Sequence, residues 1–424
     1  MRILFKNAKI LKLDNKDGFL NGHVVVDDNI IAYVGEQLPK GKFNKVIDVG
    51  GNILMPGFIN THCHSPMVLL RGIKDDATLE DWLFNNVIKI EKKLTQEDVY
   101  FGQLLAVMEY VRGGTTTIEE GYLHQEASIK ALAETGMRAR VDVGSLSAGG
   151  EFDTIKNKKL LNLVNASSNL SPACFVHSTY TASKQLILDY IKFCKDNAVP
   201  ISIHLSETAT EVKDCKKKYK KKTPTEFLQS IGFFKVSCAL CYHCVHVTQK
   251  DLKILKAEKA SVSTCAASNL KLASGIAPVY KMLQEGINVT IGTDGAASNN
   301  SLDMFKEMYL VATLAKTCEN NAQVVSAKEV LKMATLNGAK ALGINAGEIK
   351  EGKLADIILI DINQPHYQPL DNLLSHLVYS GKSSDVYLTM VGGKVLYENG
   401  KYNLGIKEQQ VYKKVNEIRE RVKI

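Results

Sequence analysis

The chain has 424 residues, of which 45% are hydrophobic, 23% charged and 7% aromatic; this near-average composition excludes a disordered, collagenous or repeat-array protein. The formal net charge of +8 does not signal a polyanionic partner, because residues 213–222 (KDCKKKYKKK) alone contribute +6. The N-terminus lacks signal-peptide character, no run approaches the ~18 apolar residues of a membrane span, and nine scattered cysteines do not suggest a disulfide framework. A cytoplasmic, reduced protein is therefore expected, with neither nucleic acid nor a membrane as partner.

The first ~50 residues predict short strands, ILFKNAKIL, HVVVDD and IIAYVG, punctuated by Asp-Gly and Asn-Gly turns. Apolar strand runs then alternate with helical stretches. Strands are expected in ILMPGFINTHCH, TTTIEEG, RARVDVGS, CFVHSTY, PISIHLSE, VSCALCYHCV, KASVSTC and NVTIGTD, with helices at 97–112, 183–197 and 277–285. Eight strands alternating with helices predict a parallel (β/α)8 TIM-type barrel, since parallel strands need crossover connections. β character returns in ADIILID, VYLTMVGG and KVLYENG, and a charged helix at 407–423 closes the chain. Two β-rich flanks around an α/β core suggest one composite domain. The expectation is a β-sandwich from residues 1–55 and 346–424 beside a catalytic barrel of residues 56–345.

Functional residues of such barrels sit at the C-terminal ends of the strands, and the ten histidines can be placed against that rule. His62 and His64 end the first predicted strand, His177 the fourth, His204 the fifth with Glu207 three residues on, His243 and His246 the sixth, and Asp294 the eighth. Two histidines two apart on a strand point to one side. A third imidazole and a carboxylate would complete a mixed nitrogen and oxygen set suited to zinc or another divalent transition metal, with a position open for water. Water activated there is a nucleophile near neutral pH. Glu207 is placed to shuttle protons and His243 to meet a developing oxyanion.

Blander readings fit other features better. Cys238, Cys241 and Cys244 lack a second cysteine pair at zinc-ribbon spacing and read as packing residues. The lysine run reads as a solvated helix or loop after the fifth strand, and Trp82 as a helix anchor. His124 is placed to line the barrel mouth, with a structural role equally open.

MPGFINTHCHSPMVLLRG (55–72), LEDWLF, HLSET (204–208), HCVH (243–246), SNLKLASGIAPV (268–279), GTDGAASNNSLDMF (292–305) and GEIKEGKLADIILID (347–361) closely resemble the amidohydrolase superfamily, and within it the methylthioadenosine/S-adenosylhomocysteine deaminase group. The resemblance implies a mononuclear site held by His62, His64, His204 and Asp294, with zinc as the expected ion and iron or manganese as alternatives. Glu207, His243 and Asp294 would act on water and substrate, Asp294 by accepting the proton of water. His177 would contact the substrate, and Glu91, in IKIEKKL, would grip ribose hydroxyls. The implied reaction replaces the 6-amino group of a purine nucleoside (5'-methylthioadenosine, S-adenosylhomocysteine, adenosine or 5'-deoxyadenosine) with oxygen and releases ammonia. Homo-oligomers are compatible with the resemblance.

The chain departs from the group's pattern twice. Thr264-Cys265-Ala266-Ala267-Ser268-Asn269 stands where the group carries a His- and Pro-containing segment, and residues 141–153 contain no arginine to clamp a homocysteine carboxylate. A lean towards substrates without that carboxylate follows. The rival readings are a guanine or other heterocycle aminohydrolase, a triazine-type chlorohydrolase and a catalytically silent barrel; the last would lose ligands that this chain keeps.

Overall fold

The computed structural model describes residues 1–14, 18–144 and 152–423. Eight parallel strands pair in sequence order: β1 (Phe58–Cys63), β2 (Thr115–Glu120), β3 (Arg138–Asp142), β4 (Leu170–Val176), β5 (Ile201–Leu205), β6 (Leu240–His243), β7 (Ser261–Thr264) and β8 (Asn288–Ile291). Helices run between them, and their starts are written in the sequence. Thr95 and Asp98 form a reciprocal capping box that opens the helix Gln96–Arg112, and the Ser183 hydroxyl caps Lys184–Asn197.

The barrel is nearly closed. Across the seam between β8 and β1, Asp294 N–H donates to the His62 carbonyl at 2.9 Å and the Thr61 hydroxyl donates to the Ile291 carbonyl at 3.0 Å. Gly292 permits this approach, since a Cβ there would lie 2.7 Å from the His62 Cβ. The seam thus sets the end of β8 against the first histidine of the rim.

Strands from both ends of the chain build a second, mostly antiparallel sheet of nine strands. In it Ile357–Ile360 lies between Ile53–Pro56 and Val386–Val391, with Ile360 opposite Ile53, and Ile53–Pro56 in turn pairs with Arg2–Leu11. One face encloses a core that includes Ile3, Phe5, Leu388 and Met390, while Leu11, Met55, Ile358 and Val386 join the barrel core. The expected barrel and two-ended β flank are both present; the flank is one continuous sheet around its own core.

The run 53–64, read from sequence as a single strand, is divided. Ile53–Pro56 belongs to the flank and Phe58–Cys63 to the barrel. The break falls at Gly57, where a Cβ would lie 2.1 Å from Thr116. The closing helix, Glu408–Val422, packs on the barrel rather than the sheet: Ile418 and Val422 cluster with Met67, Leu69 and Leu70, and Arg419 Nη1 donates to the Leu69 carbonyl at 3.2 Å.

Arg138, at the start of β3, meets Asp356 of the flank through Nε–Oδ2 at 2.6 Å and Nη2–Oδ1 at 3.1 Å, both side chains being buried. A buried pair is costly to break because the survivor keeps an uncompensated charge. Arg138→Ala is expected to lower unfolding free energy by about 3–5 kcal/mol, read from denaturant melts. A loss no larger than that of a surface substitution would show that the pair carries no such strain.

Candidate metal centre and active site

His62, His64, His204, Glu207, His243 and Asp294 converge at the C-terminal rim of the barrel, and all six are buried. β1 ends at Cys63, so His64 lies just past the strand and simple alternation does not place it. Its orientation is set instead by Nδ1, which lies 2.5 Å from the Gly121 carbonyl after β2. Several strand ends are turned into the left-handed region without glycine, with φ of 50° at Ser206, 66° at His243 and 60° at Asp294. Such conformations cost free energy and are retained where a side chain must be aimed.

The donor atoms fit a single divalent ion. His62 Nε2 lies 3.2 Å from His204 Nε2 and 3.4 Å from Asp294 Oδ1, and His64 Nε2 lies 3.5 Å from the same oxygen. Ligands ~2.0–2.1 Å from a tetrahedral ion lie roughly 3.3–3.4 Å apart. Two groups of three, His62–His64–His204 and His62–His243–Asp294, have all their ligand atoms within 4.8 Å of one another. Two imidazole Nε2 atoms facing each other make no hydrogen bond when both are unprotonated; a shared cation satisfies both.

The protonation states match. Burial depresses the His62 pKa to about 3 and holds those of His64 and His204 below the usual histidine value, keeping the rings neutral for ligation. Burial opposes charge on Asp294, but hydrogen bonding and charge from His62, with His243 and His64, hold its carboxyl well below the usual range. Burial raises the Glu207 carboxyl, with Asp294 adding and His243 opposing. Burial disfavours charge on His243, yet Glu207 and Asp294 outweigh it and its pKa is raised.

A cavity of about 240 Å³ opens beside this cluster, lined by His64, Met67, Leu83, Glu91, Tyr122 and His177. Glu91 and His177, both singled out in the sequence, therefore line the same cavity. Burial lifts the Glu91 carboxyl to about 7, opposed by the Tyr122 hydroxyl, and lowers the His177 pKa to about 4. His177 Nδ1 is held 2.9 Å from Thr181 Oγ1. His246 stands apart, with Nε2 2.7 Å from the Ser274 carbonyl, and lines a second cavity of about 530 Å³ with Tyr180 and Glu211; Leu83 borders both cavities.

Other features settle into structural places. His124 Nε2 holds the Leu94 carbonyl at 3.0 Å, and Trp82 Nε1–H donates to the Ala297 carbonyl at 3.2 Å. Cys241 and Cys244 are buried as packing residues, whereas Cys238, read the same way from sequence, is exposed because it lies before β6 begins; none belongs to a metal-holding group among the described residues. Lys216, Lys217 and Lys218 are exposed at the end of the helix Ala209–Lys218 after β5. Within the arginine-free stretch 141–153, residues 145–151 lie outside the described residues.

Sequence reasoning assigned no role to the residues that orient the site. Asn269 Oδ1 accepts from His243 Nδ1 at 2.9 Å, which turns His243 Nε2 towards Glu207, 3.8 Å away. Ser268 Oγ donates to Asp294 Oδ2 at 2.5 Å, and Ser298 Oγ donates to the same oxygen at 3.2 Å. Their signal was positional: Ser268-Asn269 follows the end of β7 on the rim that the histidines mark.

Imidazoles and a carboxylate gathered at this rim make a metal-binding site at the functional end of an α/β barrel. Residues 53–396 match the amidohydrolase family, and the chain belongs to it. It is 43% identical over 402 residues to the 5-methylthioadenosine/S-adenosylhomocysteine deaminase of Thermococcus sibiricus, covering 93% of this chain and 94% of that protein. It is 42% identical over 417 residues to the 5'-deoxyadenosine deaminase of Methanocaldococcus jannaschii, covering 96% and 98%. An adenosine deaminase from Xanthomonas campestris with bound zinc superposes with a TM-score of 0.93 at 29% identity, covering 99% of this chain and 98% of that one. No helix among the described residues is long and apolar enough to cross a membrane.

Proposed function

We propose that the protein is a hydrolytic deaminase of 6-aminopurine nucleosides, using water to replace the 6-amino group with oxygen and releasing ammonia. The observation that carries this reading is the convergence of the metal-binding cluster with an acid, Glu207, and a second polar group, His243, beside a cavity; the likeness to deaminases supplies the purine. His62, His64, His204 and Asp294 would hold one divalent ion, zinc by analogy with the Xanthomonas structure, with iron and manganese as alternatives. When bound, the ion supplies Lewis acidity that makes water nucleophilic near neutral pH.

The chain's own groups supply the proton transfers. Asp294, ionised, accepts the proton of the attacking water and returns it to the 6-amino group, which departs as ammonia when the C6–N bond breaks, while the C6 hydroxyl gives its proton back to Glu207. Glu207, its pKa raised by burial, delivers a proton to ring N1 as C6 is attacked. His243, its Nδ1–H donated to Asn269 and its pKa raised against burial by Glu207 and Asp294, presents a protonated Nε2 to the oxygen that gains charge at C6. Glu91 and His177 line the cavity that would take ribose and purine edge. The proposed organisation is a catalytic barrel of residues 56–345 beside a composite β domain of residues 1–55 and 346–424, except that Pro56 pairs within the flank and the helix Glu408–Val422 rests on the barrel, in a cytoplasmic enzyme whose nine cysteines are free.

The substrate series provides the test. With no arginine in residues 141–153, kcat/KM is expected to be higher for 5'-methylthioadenosine, 5'-deoxyadenosine or adenosine than for S-adenosylhomocysteine. A bidentate carboxylate contact is a charge-assisted interaction worth roughly 1.5–3 kcal/mol, so a difference of at least tenfold is expected. Ammonia release and the ultraviolet shift of deamination give both readouts. A clear preference for S-adenosylhomocysteine would overturn the specificity; no turnover of any 6-aminopurine nucleoside by metal-loaded protein would overturn the function.

A further inference from the structure

The floor beneath the rim holds a polar device that the chemistry above leaves unused. Barrel interiors are filled by layers of bulky apolar side chains. Here Glu119 of β2, Arg140 of β3 and Tyr242 of β6 meet inside the barrel, each buried to 3% exposure or less. Arg140 Nη2 pairs with Glu119 Oε2 at 2.6 Å, and Arg140 Nη1 donates to the Ala341 carbonyl at 3.2 Å. The other Glu119 oxygen accepts from the Tyr242 hydroxyl at 2.9 Å.

The far side of Tyr242 touches the rim. Its ring stacks on the His62 imidazole with centroids 3.8 Å apart and planes 23° from parallel. Phe175 of β4 packs edge-on against Tyr242 at 5.4 Å and stacks on His64 at 5.8 Å. A buried Arg–Glu pair is often no more stabilising than apolar residues of the same volume, so stability alone gives little reason for it here. What the pair accomplishes is geometric: Arg140 neutralises Glu119, leaving one oxygen to fix the Tyr242 ring plane and, through it, the plane of His62.

We propose that Tyr242, clamped by the Glu119–Arg140 pair, is a positioning residue that holds the His62 imidazole oriented for metal ligation. This rests on the assignment of His62 as a metal ligand. Groups that orient ligands without touching the ion typically account for about 10–100-fold in metal affinity. Tyr242 acts by stacking, where such partners more often act by a hydrogen bond to the second ring nitrogen.

The test is metal affinity in Tyr242→Phe, which keeps the ring and loses the clamp, and in Tyr242→Leu, which loses both. Zn2+ affinity is measured by chelator competition on metal-stripped protein, the visible spectrum is taken on the Co2+-loaded form, and the thermal midpoint is taken without metal. Tyr242→Phe is expected to bind Zn2+ about tenfold more weakly with an altered Co2+ spectrum, and Tyr242→Leu more weakly still. Unchanged Zn2+ affinity and Co2+ spectrum in Tyr242→Phe overturns the proposal, even if the metal-free midpoint falls, since that pattern is merely structural. Failure of the parent protein to bind one Zn2+ would instead overturn the metal assignment itself.

Discussion

Glu207→Gln is expected to bind its divalent ion as tightly as the parent protein and to lose about 10²–10⁴-fold in kcat. Glutamine keeps the shape of the side chain and cannot deliver the proton that ring N1 requires. The substitution leaves the scaffold in place, because the Glu207 backbone N–H remains held by Glu211 Oε2 at 2.8 Å. Neither group of three metal-holding residues includes Glu207, so metal content is predicted to stay at one ion per chain. Steady-state kinetics and metal analysis on one preparation give both quantities. A variant within threefold of parental kcat would remove Glu207 from the mechanism.

Stripping the metal is expected to reduce turnover to background, and one equivalent of zinc, iron or manganese is expected to restore it. The site is built for this dependence. Burial keeps the imidazoles neutral and so available as ligands, and the Nε2 atoms of His62 and His204, 3.2 Å apart, stand at the spacing of two ligands of one ion. Nothing else in the cluster replaces the Lewis acid: Asp294 is ionised and His243 is committed to Asn269 through Nδ1. The metal also links to folding, since an ion bound only by the native state raises the thermal midpoint by an amount that grows with the logarithm of its affinity. Full activity in protein free of detectable metal would refute the dependence.

The histidines and Asp294 were legible because they are few, chemically distinctive and placed at predicted strand ends. A barrel converts that sequence position into spatial convergence. Ser268, Asn269 and Tyr242 were not, because serine, asparagine and tyrosine occur in many roles and become informative only through the partners they touch: Asp294, His243 and His62. The run 53–64 concealed two strands because both are fully buried with only Gly57 between them, and the residue pattern carries no label for the sheet a strand joins. The closing helix predicted its own existence by its amphipathic pattern, but few buried side chains, among them Val411, Ile418 and Val422, gave no sign that it rests on the barrel.

The pairing of Ile53–Pro56 with Ile357–Ile360 bears on how the chain is made. Ile357 follows Pro56 by 301 positions, and at synthesis rates of about 5–20 residues per second that interval lasts roughly 15–60 s. Throughout it the early strand presents an open edge of backbone donors and acceptors, the kind of surface that templates pairing with other chains. The β flank is therefore completed after all eight barrel strands have been synthesised. Its late strands close that edge, so a chain cut short before Ile357 leaves Ile53–Pro56 without this partner.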